Sequence, residues 1–143
     1  MVLNYPNKKM VITDFKRNNK IGIRNFTDAS DFHDLVKLLL VKILRRKHQD
    51  NNATQIYTEY SPTSPLGEFP DIWMSLRERN KTKIVVYEIQ KEITKYWTER
   101  VQNRYENCDL IIVPLKEVLK EWKDNINSDP IKALRQVIEP YVV

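Results

Sequence analysis

The chain has 143 residues, with 24 lysines and arginines against 19 aspartates and glutamates for a net charge of +5, and a single cysteine. That length suits one compact domain with its own core, and one cysteine, Cys108, excludes an intrachain disulfide, so a reducing interior is the natural setting. No apolar run reaches the length of a membrane span, the amino terminus lacks the apolar centre of a signal peptide, and the basic balance favours an anionic partner; the expectation is an intracellular, cytoplasmic protein.

In chain order, residues 1–8 are polar and read as a loose start. Residues 10–15 and 20–26 read as two short strands around Lys16, Arg17, Asn18 and Asn19, a basic hairpin tip that suits either phosphate contact or a solvated turn. Thr27, Asp28 and Ser30 offer capping oxygens ahead of a long helix expected over 31–48. Its apolar positions Phe32, Leu35, Val36, Leu39, Leu40, Ile43 and Leu44 form a wide stripe, so the helix should cover a sheet. Asp34 lies on the first turn, where the helix dipole favours a carboxylate. Lys37, Lys42, Arg45, Arg46 and Lys47 read as its basic side and end, which suits a nucleic-acid flank or simple complementarity to the dipole. His33 and His48 have no partner at metal-ligand spacing and read as bystanders.

Residues 55–60 alternate as a strand ending near Glu59, followed by a Ser/Pro/Gly loop over 61–67. Pro70 and Asp71 then begin a strand, because proline is tolerated at a strand start. The polar link over 77–83 reads as a hairpin returning the chain beside it. Ile84, Val85, Val86 and Tyr87 form an apolar, β-branched and aromatic run, the pattern of a strand buried on both faces. Side chains alternate along it, so Glu88 and Gln90 share the face of Val86 while Ile89 and Lys91 share that of Tyr87. Asp71 and Glu88 are thereby brought together at the end of a core, where converging carboxylates call for a cation and hard oxygen donors favour magnesium or manganese.

A helix is expected over 91–105, with Ile93, Trp97, Val101 and Tyr105 inward and Lys91, Lys95, Arg100 and Arg104 basic. Lys91 and Lys95 would lie one turn apart beside the carboxylates. A second buried strand follows over 109–114, which makes a strand, helix, parallel-strand crossover. Cys108, just before it, reads as a small core residue. Leu115, Val118, Leu119 and Trp122 mark another helix, and Asp129 with Pro130 opens a last one by the pattern of an N-cap followed by proline at the first helical position.

Pro70-Asp71 followed by Glu88-Ile89-Gln90 resembles the motif of the PD-(D/E)XK nuclease superfamily, in its E-x-Q variant, and the resemblance covers residues 31 to about 120. The Asp34-Leu35-Val36 start of the long helix is similar to the Glu-Leu-Val helix of archaeal Holliday-junction resolvases. The resemblance implies an α/β fold: a mixed sheet of four to five strands flanked by helices, with a restriction endonuclease-like α-β-β-β-α-β core over 29–114. An N-terminal β-hairpin extension over 1–28 would precede it and C-terminal helices over 115–143 would follow. The helix after Glu88 would lie beside the long one. It implies metal-dependent hydrolysis of DNA phosphodiester bonds, with Asp71 and Glu88, Asp34 or Glu59, and the Ile89 carbonyl holding magnesium or manganese. Gln90, where lysine is commonest, would hydrogen-bond water or phosphate, and Lys91 or Lys95 would supply positive charge. Lys37, Arg45, Arg46, Lys91, Lys95 and Arg100 would line double-stranded or branched DNA, and a homodimer would let two sites cut a duplex. The alternatives are a catalytically inactive DNA-binding or assembly protein on the same scaffold, suggested by Gln90, and an RNA-directed nuclease.

Overall fold

The computed structural model describes residues 2–5, 9–14, 19–23, 31–59, 69–126 and 128–143. The basic hairpin tip with Lys16 and Arg17, the capping residues Thr27, Asp28 and Ser30, and the loop over 61–67 lie outside them. The chain is an α/β protein whose elements run β1 (Val2–Tyr5), β2 (Lys9–Asp14), β3 (Asn19–Ile23), α1 (Asp31–Lys47), β4 (Gln55–Thr58), β5 (Ile72–Glu78), β6 (Lys81–Gln90), α2 (Lys95–Arg104), β7 (Asp109–Pro114), α3 (Leu115–Asn125) and α4 (Pro130–Ile138), closed by a 3-10 turn Glu139–Tyr141.

Strands β4 to β7 make a mixed four-stranded sheet: β4 with β5 and β5 with β6 are antiparallel, while β6 with β7 is parallel. The antiparallel β1, β2 and β3 continue it to seven strands, joining through a parallel pairing of Lys20 with Tyr57. The expected hairpin is therefore a three-stranded meander, because Val2–Tyr5 pairs with β2 where a loose start was expected. Between β5 and β6 the turn is only two residues long, and Arg79 and Asn80 both take positive φ (50° and 66°). That twist matches the twist of the flanking strands, and asparagine tolerates it well.

Alternation along β5 and β6 builds two cores. Ile72, Met74, Leu76, Val85, Tyr87 and Ile89 face α1, α3 and α4 and pack on Val36, Leu40, Leu44, Val118, Leu134 and Ile138. Trp73 and Val86 face the other way with Tyr57, and α2 covers them with Val101 and Tyr105. The Tyr57 and Trp73 rings tilt against each other at 5.3 Å. Hence α2 does not lie beside α1 as expected but on the opposite face, since a strand apolar on both sides must be covered on both.

Helix α2 also begins later than expected. Thr94 caps it, its hydroxyl accepting from the Trp97 N–H at 3.1 Å, so Lys91 lies before the helix and not one turn from Lys95. Ile93 is exposed in consequence. Helix α4 starts as expected, with the Asp129 carboxylate accepting from the Lys132 N–H at 3.0 Å and Pro130 following. No helix among the described residues is long and apolar enough to cross a membrane.

Candidate functional site

Proline at 70 has no N–H, and the β5–β6 ladder ends two residues along the chain from it, at the pairing of Ile72 with Tyr87. The Pro70 carbonyl turns instead to β4, accepting from the Glu59 N–H at 3.1 Å. The Ile89 N–H, next along β6, would be left buried without an acceptor. Asp71 supplies one: its Oδ2 accepts that N–H at 2.6 Å. The register then sets Asp71 across from Glu88, one step beyond the last ladder pair.

Three further elements converge on this strand end. From the first turn of α1, His33 places Nε2 at 3.2 Å from Asp71 Oδ1 and Nδ1 at 3.6 Å from Asp34 Oδ1. From the next turn, Lys37 extends its Nζ to 3.1 Å from Glu59 Oε1 and 3.6 Å from Asp34 Oδ1. From the sheet's other face, α2 brings Tyr105 and Arg104 into electrostatic range of Glu88. Asp34, Glu59 and Asp71 are all buried, and Lys37 is 0% exposed.

Such a cluster is short of positive charge. Burial, then the neighbouring Asp71 charge, raises the Glu88 carboxyl from 4.5 to about 8, although Tyr105 and Arg104 pull it back and Glu59 adds to the rise. The Tyr105 hydroxyl is close enough to act on Glu88 yet has no hydrogen-bond partner among the described residues. For His33, burial favours the neutral ring, but the Asp71 and Asp34 carboxylates outweigh it and hold the imidazolium above its ordinary range. Among the described residues no three His, Cys, Asp or Glu side chains are arranged to close on one ion. Two carboxylates, Asp71 and Glu88, beside the Ile89 backbone make the fuller donor set.

Asp34, Asp71, Glu88 and Ile89 are thus brought to one strand end. Gln90 follows on the same strand, but its amide donates to the Glu92 carbonyl at 3.2 Å, a local contact within the turn after β6. Lys91, Lys95 and Arg100 are exposed around the start and outer side of α2, where the Arg100 guanidinium lies 5.7 Å from the centre of the Tyr96 ring. Arg45 is half-buried and Arg46 exposed near the far end of α1.

Lys37 corrects the expectation of a surface phosphate contact: it is the best-buried charge in the cluster. The signal was in its spacing, because 37 falls on the inward stripe three residues before Leu40 and seven before Leu44. His33, read as a bystander, is one turn earlier on the same side and belongs to the cluster. His48 is at the other end of α1, with Nε2 2.8 Å from the Val143 carbonyl. No family model matches the chain, and neither a curated protein nor a solved structure matches it.

Proposed function

We propose that the chain is a metal-dependent nuclease that hydrolyses DNA phosphodiester bonds, with Asp71 and Glu88 as ligands of a magnesium or manganese ion. The observation that carries this reading is the facing pair itself: a buried and a half-buried carboxylate across a strand end, the second raised to about 8 by its partial burial and by the charge of the first. A divalent cation is the ordinary compensation for such a pair, and magnesium is commonly held by one or two carboxylates, with waters and substrate phosphate completing its shell. When bound, the ion would polarise a phosphate oxygen and acidify a water.

The protein's own residues have separable tasks in this reading. Asp71 is oriented by the Ile89 N–H and by His33, so its carboxylate is held in place before any ligand arrives. Burial of Asp71 and partial burial of Glu88 strengthen the pull of the pair on a cation. Lys95 and Arg100 would hold backbone phosphates from the exposed side of α2. The succession α1, β4, β5, β6, α2, β7 has the order of a restriction endonuclease-like core, which supports the superfamily resemblance.

A second reading, a DNA-binding or assembly protein that keeps this scaffold without catalysis, is favoured by one observation: the Gln90 amide is engaged with the Glu92 carbonyl. The deciding experiment incubates the protein with supercoiled, linear, single-stranded and branched DNA, and with RNA, with and without magnesium or manganese. Cleavage of DNA that requires the ion and vanishes in Asp71→Ala and Glu88→Ala supports the nuclease. Ion-independent cleavage, or wild-type rates in either variant, would overturn the assignment.

A further inference from the structure

A fully buried lysine is uncommon because its ammonium loses its hydration, and it persists only where anions replace the water. Lys37 meets that condition twice, at 3.1 Å from Glu59 and 3.6 Å from Asp34. Neither Asp34 oxygen has a hydrogen-bond partner among the described residues, so the Lys37 and His33 charges are what face it. The other side of the arrangement is equally fixed. Glu59 stands at φ 56°, a left-handed conformation that glutamate seldom adopts, tied by its N–H to Pro70. That bend ends β4 and sends the carboxylate under α1 to the lysine. The cluster is also electrically continuous: Glu59 acts on Glu88, and Lys37 acts on His33.

We propose that Lys37 is a resident cation of this site: its ammonium fills the place between Asp34 and Glu59 that a second metal ion would take, so that a single divalent ion binds, on the side of Asp71 and Glu88. The proposal rests on the metal-dependent reading above and deepens it by fixing which carboxylates are available. Asp34 and Glu59, the two candidates for a third metal ligand, belong to the lysine. An ion entering between them would meet an ammonium at contact distance in a water-poor setting, where repulsion between like charges is strong. Removing the ammonium should open the second position, because the cation that stands against both buried carboxylates is then gone.

The test counts manganese ions bound per chain by electron paramagnetic resonance and follows thermal unfolding with and without manganese chloride, for the wild type, Lys37→Met and Glu59→Gln. One ion in the wild type and two in Lys37→Met, with the variant's unfolding temperature lowered without manganese and restored by it, is the expected result. No ion in the wild type but one in Lys37→Met also supports the resident cation, while removing the metal-dependent reading. Two ions in the wild type, or an equal number in wild type and variant, would overturn the proposal; in the second case a wild-type count of one leaves the metal-dependent reading standing. Should Lys37→Met fail to fold even with manganese, Glu59→Gln decides. Retention of the wild-type ion there supports the proposal, and its loss identifies Glu59 as a ligand and overturns it.

Discussion

Replacing Glu88 by glutamine isolates the charge deficit of the site, because the side chain keeps its shape and loses only its ionisation. In the unfolded chain the Glu88 carboxyl ionises near 4.5, whereas in the folded chain it keeps its proton to about 8. Between those values the folded state holds more protons than the unfolded one, so stability falls as pH rises through the window and levels off above it. At about 1.4 kcal/mol per pH unit the full displacement corresponds to at most about 5 kcal/mol. Because solvent reaches the half-buried carboxyl and screens its interactions, on the order of 2 to 3 kcal/mol is a sounder expectation for Glu88 alone. Glu88→Gln should therefore match the wild type near pH 4 and exceed its stability by that amount at pH 8.5. The assay is urea unfolding in the presence of a chelator at several pH values. Adding magnesium or manganese should reverse the order at high pH, since only the wild type gains an anion for the cation. A stability difference independent of pH, or a variant that weakens the ion-free protein most at pH 8.5, would refute the reasoning.

His33, held above its ordinary value, contributes stability that is full below about 6.5 and lost as pH rises through its higher folded value. His33→Gln should thus flatten the pH profile of ion-free stability above about 6.5, as read by the same unfolding curves. Thr94→Ala removes the cap that accepts from Trp97 and should cost about 1 kcal/mol in urea unfolding, without altering ion binding. Lys95→Gln with Arg100→Gln should lower the slope of log K against log salt for duplex DNA by about 0.9 per lost contact, measured by binding isotherms at several salt concentrations. An unchanged slope would move the DNA path away from α2.

What could be read from residues alone follows from the range of each signal. The β5–β6 hairpin, the E-x-Q at the end of an apolar strand and the capped α4 are local patterns, and each lies where alternation and cap chemistry put it. The side of the sheet taken by α2 was not legible, because residues 84–87 are apolar on both faces and match either arrangement. The start of α2 was legible in principle: Thr94 stands at an N-cap position three residues before Trp97. The site was half visible. Asp71 and Glu88 announce themselves through Pro70 and the strand end, but His33 and Lys37 join them only once α1 is laid on the sheet. Lys37 was grouped with Lys42, Arg45, Arg46 and Lys47 by composition, while its angular position already placed it with Val36 and Leu40.

The central claim is that Asp71 and Glu88 hold a divalent ion, and proton release on ion binding tests it most directly. At pH 7 a carboxyl that titrates near 8 is about nine-tenths protonated, so an ion that takes Glu88 as a ligand must displace close to one proton. Calorimetric titration of the protein with manganese chloride in two buffers of different ionisation enthalpy gives that number. We expect nearly one proton released per ion bound in the wild type, falling to almost none at pH 9.5, and binding lost or severely weakened in Glu88→Gln and Asp71→Asn. Binding without proton release at pH 7, or undiminished binding in either variant, would contradict the assignment.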